Sequence, residues 1–124
     1  MTVKELAENL GWKLIAGEKG IFEEVTGCSA GDLLSWVLSH GSQGQIWLTV
    51  MGTETAVAVA VLSGFSAIVL AGSAELDADA ARQADERELS VYSCRENLYE
   101  AAIRIYEALS ETESSEKEEL CETR

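Results

Sequence analysis

Proline and basic side chains are scarce in this sequence. It contains no proline in 124 residues, so no proline-rich linker divides it, and we expect a single domain. Nine lysines and arginines stand against 22 aspartates and glutamates, which leaves a net charge of −13. An acidic surface repels phosphate backbones and anionic lipid headgroups, so we expect neither nucleic acid nor membranes as partners. A basic protein or a metal cation matches this charge better.

The cysteines lack the spacing of a metal site. Cys28, Cys94 and Cys121 form no CxxC pair, and the first ten residues follow a charged helix pattern rather than that of a secretory leader. An odd number of thiols in such a chain is typical of a reducing compartment. We therefore expect a cytoplasmic protein without a metal or cofactor.

Catalytic motifs are missing as well. His40 is the only histidine, and neither GxSxG, GxxxxGK[ST] nor GxGxxG is present. We expect His40 to lie at the negative end of a helix, where a cation is stabilised. The chain is therefore predicted not to be an enzyme, and a phosphotransferase-related fragment is the remote alternative.

One apolar stretch, between Glu54 and Glu75, carries no charge and is long enough to span a bilayer. Ser63 and Gly64 interrupt it, and its flanking charges are acidic, whereas a spanning helix usually has lysine or arginine on its cytoplasmic side. A buried helix followed by a buried strand explains the same residues without a membrane.

Hydrophobic periodicity predicts alternating strands and helices. We expect strands at 12–16, 21–26, 45–50, 66–70 and 89–92, and helices at 2–10, 32–39, 53–62, from 77 onwards and from 93 to 109. Ser29 is a candidate cap of the second helix, and Ser93 with Glu96 is expected to form a capping box at the last one. The order from residue 45 predicts parallel strands with helices on both faces.

The fold class that follows is α/β, a three-layer α/β/α arrangement with a mostly parallel sheet of about four to five strands. Residues 1–109 form this domain in our interpretation. Residues 110–124 are rich in glutamate and poor in apolar side chains, so we predict a disordered acidic tail.

The layout and wording of the chain resemble the DRTGG domain, whose fold is related to the N-terminal domain of HPr kinase/phosphorylase. The resemblance extends from about Thr2 to Leu109 and is carried by VKELAENLGWKLIAG, VTGCSAGDLLS, GQIWLTVMGTETAVAVAVLSGFSAIVLAG and ENLYEAAIRIYEAL. The Asp-Arg pair of the signature falls near Thr53-Glu54, and Thr-Gly-Gly falls at Ala71–Ser73, where only Gly72 matches. A family ligand that depends on the arginine would lose that contact here. The resemblance implies a regulatory module that forms dimers or higher oligomers.

Ligands of open parallel sheets bind beyond the carboxyl ends of the strands. Small residues there let a ligand approach the backbone, and helix N-termini there suit an anion. The alternative is that these residues serve only as turns and caps. The candidate ligand-binding residues at this end are Cys28, Ser29, Gly52, Thr53, Glu54, Gly72, Ser73 and Cys94.

Two further interpretations concern cysteine and tryptophan. Cys28 and Cys94 would either meet at the ligand end of the sheet as a redox or metal pair or serve as buried apolar residues, and the second is the commoner role. Trp47 is expected in the core. Trp36 is a candidate interface residue, because exposed tryptophan is enriched at interfaces.

The leading functional hypothesis is a non-catalytic regulatory or ligand-sensing module that acts as a homodimer and binds a small anionic ligand or docks on a partner protein. The alternative is a structural adaptor without a small ligand, which uses its sheet edge, Trp36 and the acidic tail to bind a basic protein. Family members are sometimes encoded near hydrogenases, so the resemblance implies a redox complex as the adaptor's setting.

Overall fold

The computed structural model describes the backbone of residues 1–122 and the side chains of residues 1–111. Strands and α-helices alternate from residue 27 onwards, and short 3-10 turns lie at Glu18–Gly20 and Ala71–Ser73. The elements are α1 (Val3–Leu10), β1 (Lys13–Ala16), β2 (Gly27–Ala30), α2 (Leu34–His40), β3 (Gln45–Thr49), α3 (Glu54–Ser63), β4 (Ala67–Leu70), α4 (Ala78–Arg87), β5 (Ser90–Ser93) and α5 (Leu98–Glu122).

The five described strands form one sheet in the order β1-β5-β4-β3-β2. β2, β3, β4 and β5 all run in the same direction, and β1 pairs with β5 in the antiparallel sense. The predicted three-layer α/β fold with a mostly parallel sheet is therefore confirmed. β1 lies on the outer side of β5 and is the one described strand that runs against the others.

Helices cover both faces of the sheet, so the protein has two hydrophobic cores. On one face α1 and α5 pack through Leu6 and Ile105 against Ile46, Leu48 and Val69 of the central strands. Every one of these side chains is at most 1 % exposed. The alternation of inward side chains along β3 and β4 assigns their other residues to the opposite core.

The second core lies under α2, α3 and α4. It joins Val37, Val57 and Ala84 to the strand residues Trp47 and Ile68. Trp47 is fully buried, as predicted, and its indole Nε1 donates to the carbonyl of Gly31 at 2.9 Å. Burial of the indole is stable because its one polar hydrogen is bonded.

The uncharged stretch becomes α3 followed by β4. The Thr53 hydroxyl accepts from the amide of Ala56 at 3.2 Å, as expected for a cap, and Gly64 ends α3 in a left-handed conformation. Within residues 1–122, no helix has the length and apolar character needed to cross a bilayer.

The second strand lies at 27–30 and not at the predicted 21–26. Residues 21–25 instead run past the start of α1, where the Val3 amide donates to the Glu23 carbonyl and the Lys4 amide to the Ile21 carbonyl, both at 2.8 Å. These carbonyls satisfy helix N–H groups that have no partner inside the helix. Ser29 therefore lies within β2, and it does not cap α2.

The last helix also begins differently from the prediction. Ser93 belongs to β5, and the side chain of Asn97 caps α5 by accepting from the Glu100 amide at 2.9 Å. Glu96 instead forms an ion pair with Arg104, which lies further along α5. The predicted capping box at Ser93 is therefore wrong, because Ser93 pairs with β4 as the last residue of β5.

Helical backbone continues beyond Leu109, where we expected α5 to end. No glycine or proline follows that residue, and glutamate, lysine and leucine favour helices. The division into a domain of residues 1–109 and a disordered tail of residues 110–124 stays a prediction, since residues 123–124 and the side chains from 112 onwards lie outside the described part.

Candidate functional site

Three loops come together at the carboxyl end of the sheet, where the parallel strands β2–β5 terminate. The Asp77 amide donates to the Gly52 carbonyl at 2.8 Å and joins the loops after β3 and β4. The amides of Gly72 and Ser73 donate to the carbonyls of Glu96 and Cys94, at 2.7 and 2.8 Å. The structure thus brings Gly52, Gly72, Ser73 and Cys94 to one end of the molecule.

Several of these groups already form hydrogen bonds or packing contacts within the protein. The N–H groups of Gly72 and Ser73 are bonded to the loop after β5, so they do not point at a ligand. Thr53 caps α3, and Gly52 is buried against the backbone of Glu75. Glu54 is exposed in the first turn of α3. The turn and cap roles are therefore present at these positions, and the predicted ligand role remains a proposal.

Cys28 and Ser29 lie elsewhere. They are strand residues of β2, in register with Ile46 and Trp47, and Ser29 Oγ donates to Gln45 Oε1 at 2.7 Å. Their placement at the carboxyl end was wrong because it assumed a strand that ended at Gly27. Asp32 takes that place, and its Oδ1 accepts from Thr49 Oγ1 at 2.6 Å and from the Val50 amide at 3.0 Å.

The two described thiols do not form a redox pair. Cys28 lies in β2 and Cys94 follows β5, so β4 and β3 separate them, a distance of about 14 Å at the usual strand spacing. Desolvation by burial raises the pKa of each thiol to about 11. A thiol with such a pKa is protonated near neutral pH and reacts slowly. Among the described residues no cluster of three or more histidine, cysteine or carboxylate side chains could hold a metal ion.

A cavity of about 390 Å³ opens beside the loop after β4, and we call it the Lys13 cavity. Its polar wall consists of Lys13, Ser73, Glu75 and Ser93, and its apolar wall includes Ile15, Ala74, Leu76 and Ala81. Lys13 forms no ion pair with any residue in the described part of the chain. The cavity therefore combines one unpaired cation, one carboxylate and two hydroxyl groups with an apolar surface.

Lys13 reaches this place through the antiparallel pairing of β1. The residue opens β1 and lies in register with Ser93, the last residue of β5. The amino end of β1 therefore meets the carboxyl ends of the parallel strands. Sequence reasoning missed Lys13 and Glu75, because nothing in the local pattern reveals which strand pairs in the antiparallel sense.

Trp36 lies on the exposed side of α2. Its side chain is 57 % exposed and stacks on His40, with ring centroids 3.6 Å apart and planes inclined by 11°. His40 is in the last turn of α2, as predicted, and its Nδ1 lies 3.0 Å from the Trp36 carbonyl. The two rings therefore lie nearly parallel, one over the other.

A second, apolar depression of about 680 Å³ runs between β2 and α5, and we call it the α5 groove. Gly27, Cys28 and Ala30 form its strand side, and α5 forms the other side. Tyr99 and Tyr106 flank it on α5 and are 75 % and 74 % exposed. The groove contrasts with the Lys13 cavity, since among the residues with described side chains Glu107 is the only charged one that lines it.

Comparison with known proteins shows a similarity to a solved structure. No model of a known protein family matches the chain, and no curated protein matches it. Among solved structures, the chain is similar to the CBS and DRTGG domains of the regulatory region of Clostridium perfringens pyrophosphatase, which was crystallised with its activator diadenosine tetraphosphate. The TM-score is 0.63 and the sequence identity 12%. The match covers 84% of this chain and 45% of that chain, so this protein spans less than half of its structural neighbour. At this identity the similarity concerns the fold, which is related to that of a CBS and DRTGG regulatory region.

Proposed function

We propose that this protein is a non-catalytic regulatory module that binds a small anionic ligand of the nucleotide class in the Lys13 cavity. The observation that carries the proposal is the unpaired Lys13 ammonium beside the hydroxyls of Ser73 and Ser93 at the carboxyl end of the sheet. Ligands of open α/β sheets bind at this end.

The lining favours a ligand with several kinds of group. Lys13 attracts a phosphate, and Glu75 can accept hydrogen bonds from ribose hydroxyls, as acidic residues do in nucleotide sites. Ile15 and Leu76 offer apolar surface to a base. Glu75 also offsets the charge of Lys13, so a bare inorganic anion fits this lining less well than a nucleotide does.

The structural neighbour supports the same class of ligand. That regulatory region was solved with diadenosine tetraphosphate, an activator of the pyrophosphatase to which it belongs. The neighbour is a regulatory region, which supports a regulatory module here. A phosphotransferase fragment has no comparable support.

The proposal is tested by isothermal titration of the full chain with AMP, ATP and diadenosine tetraphosphate. We expect at least one of them to bind, and to raise the unfolding free energy by about 2.7 kcal/mol at a hundredfold excess over Kd. Lys13→Glu should weaken that binding at least tenfold, because it replaces an attraction for phosphate by a repulsion.

Lys19→Glu is the matched control. Lys19 is also exposed but lines a different cavity, and the substitution changes the net charge by the same amount. Binding that falls equally in both variants would indicate a general charge effect and not a site. If no nucleotide binds the wild-type chain, the ligand part of the proposal is wrong.

Self-association is the second part of the proposal. We infer that the regulatory module acts as a homodimer, since a ligand regulates by shifting an equilibrium between two states and a monomer–dimer equilibrium is one such equilibrium. β1 and β2 form the two outer strands of the described sheet, and β2 lies beside the apolar α5 groove. A strand at the edge of a sheet exposes unpaired backbone groups.

A structural adaptor is the second candidate, and the exposed Trp36–His40 stack favours it. An adaptor would dock on a partner protein through Trp36 and the neighbouring Leu33, which is 67 % exposed. Co-purification of tagged wild-type and Trp36→Ala chains from native cells tests this. A partner that is retained by the wild type and lost from Trp36→Ala supports the adaptor, whereas identical partners for both chains argue against it.

A further inference from the structure

The surface formed by β2 and the exposed side of α5 lacks a covering element in the described part of the chain. β2 pairs only with β3, so the N–H and C=O groups on its outer side have no strand partner. The α5 groove opens directly beside this strand. Both features belong to one continuous surface, because Gly27, Cys28 and Ala30 line the groove from the strand side.

The exposed side of α5 carries an apolar stripe. Tyr99, Ile103 and Tyr106 are 75 %, 40 % and 74 % exposed, and their spacing of four and three residues places them on one face of the helix. The stripe reads nearly the same in both directions, with a tyrosine at each end. Ala102, a small residue that also lines the groove, lies at its middle.

We propose that this surface binds a second copy of the chain about a two-fold axis that passes between Ala102 and Ile103. The inference rests on the homodimer part of the proposed function and identifies its interface. α5 lies antiparallel to α5 of the second copy, so Tyr99 of each copy packs against Tyr106 of the other. β2 lies beside β2 of the second copy, and the sheet continues across the interface.

The occupant is a second copy because the stripe is self-complementary under two-fold symmetry. A two-fold interface uses the same patch on both subunits, so each residue must suit the one that symmetry places opposite it. The axis between Ala102 and Ile103 brings aromatic against aromatic at both ends, a favourable pairing. It also places Glu107 opposite Leu98 and not opposite another carboxylate.

The expected area is that of a small interface. An aromatic side chain buries about 150–250 Å² when fully covered, so the two tyrosines and Ile103 contribute about 350 Å² per copy at their present exposure. The groove walls and the β2 edge add to this. The sum approaches the lower limit of about 600 Å² per partner for specific interfaces, so we expect a dimer of about micromolar affinity.

Charge gives the dimer a distinctive salt dependence. Each copy carries a net charge of −13, so the copies repel each other outside the apolar contact. Salt screens this repulsion, with a Debye length of about 8 Å at 0.15 M. Dimerisation should therefore strengthen as salt is added. Binding of a basic partner at this surface would weaken under the same conditions.

Sedimentation velocity of the full chain over about 1–100 µM, in low and high salt, tests the interface. We expect a concentration-dependent dimer, and Ile103→Glu should raise its Kd at least tenfold, because it buries two carboxylates beside the axis. Leu62→Glu is the control: Leu62 is 76 % exposed on α3, on the opposite face of the sheet. A chain that stays monomeric throughout, or a Leu62→Glu effect equal to that of Ile103→Glu, overturns the proposal.

A charge exchange tests the antiparallel geometry separately. Tyr99→Lys alone should weaken the dimer, since each Tyr106 then faces a lysine and no longer packs against an aromatic ring. Adding Tyr106→Glu to the same chain should restore much of the affinity, because each lysine then faces a glutamate of the other copy. A double variant that dimerises less well than Tyr99→Lys contradicts this arrangement.

Nucleotide titration of Ile103→Glu separates this inference from the ligand proposal. The Lys13 cavity lies at β1 and β5, at the far side of the sheet from β2. The Ile103→Glu chain should therefore still bind nucleotide even when it is monomeric. If the wild-type chain dimerises but binds no nucleotide, the interface proposal stands and the ligand proposal is wrong. If the wild-type chain binds nucleotide but stays monomeric, the ligand proposal stands and the interface proposal is wrong.

Discussion

The loops that follow β3 and β4 lie side by side at the carboxyl end of the sheet, and each contains a glycine with different surroundings. Gly52 is buried, and a Cβ atom built on it would lie 2.0 Å from the Glu75 carbonyl oxygen. Gly72 is exposed, and a Cβ atom there would meet nothing within 4 Å. Gly72 has a φ of +63°, whereas Gly52 is not among the residues with positive φ.

The comparison separates two reasons for a glycine. At Gly52 the absence of a side chain lets two loops touch, so that the Asp77 amide reaches the Gly52 carbonyl. At Gly72 the backbone conformation is the reason, because a left-handed φ is strained for residues with a Cβ atom. The Gly52 loop is thus a packed support, and the Gly72 loop is the one that faces the Lys13 cavity through Ser73.

Gly52→Ala should have the largest effect. The added methyl group overlaps backbone atoms of Glu75 and Leu76, which cannot rotate away as a side chain could. The loops must separate, and we expect the unfolding free energy to fall by about 3 kcal/mol. Urea denaturation followed by circular dichroism measures this. A loss below that of Gly72→Ala would show that the loops after β3 and β4 are not packed as described.

Gly72→Ala should cost about 1.5 kcal/mol, which is the strain of a left-handed conformation for alanine. Gly11→Ala is the matched control, because Gly11 also has a positive φ, +74°, and open space at its Cβ position. The two variants should lose similar stability in the same urea experiment. A much larger loss at Gly72 would point to a close neighbour and would weaken the comparison with Gly52.

Thr53→Ala should cost about 1 kcal/mol, because it removes the hydroxyl that accepts from the Ala56 amide at the start of α3. Thr53→Ser keeps that hydroxyl and should remain within a few tenths of a kcal/mol of the wild type. Equal losses in the two variants would show that the methyl group, and not the cap, stabilises this end of the loop.

A pH effect is expected at Cys94, the buried residue that joins the loop after β5 to Ser73. Desolvation by burial raises its pKa from 9.0 to about 11. The unfolded chain therefore loses the thiol proton at lower pH than the folded chain, so stability falls as the pH rises from 9 to 11. Below pH 9 the thiol is protonated in both states and contributes no slope.

Cys28 has a similarly raised pKa, so one substitution should remove only part of the slope. Cys94→Ala should lose less stability between pH 8 and pH 10.5 than the wild type does, when the loss of each chain is measured from its own stability at pH 8. Thermal melts at both pH values give the comparison. An identical slope in both chains would mean that the Cys94 thiol ionises as readily in the folded state as in the unfolded one.

The fold class was accessible from the sequence because hydrophobic periodicity is local. The alternation from Gln45 to Leu109 predicted parallel strands and covering helices, and Trp47 in the core followed from its place on a buried strand. The caps at Thr53 and Gly64 were equally local features, since a helix end depends on a few neighbouring residues.

The errors arose where a distant segment competes for backbone hydrogen bonds. Residues 21–25 look extended, yet they bond to the first turn of α1 and leave Gly27–Ala30 to join the sheet. That shift removed Cys28 and Ser29 from the predicted site and put Asp32 beside Thr49. Ser93 likewise belongs to β5, so the side chain that caps α5 is that of Asn97.

The sequence by itself determined the alternating elements, the two-sided burial of the central strands and the acidic surface, because periodicity and composition are properties of the chain. Only the tertiary structure decided that β1 pairs with β5 in the antiparallel sense, which brings Lys13 to Ser73 and Ser93. It alone also placed β2 at an edge beside the tyrosines of α5. Strand order and direction depend on contacts between residues far apart in the chain, and no local pattern encodes them.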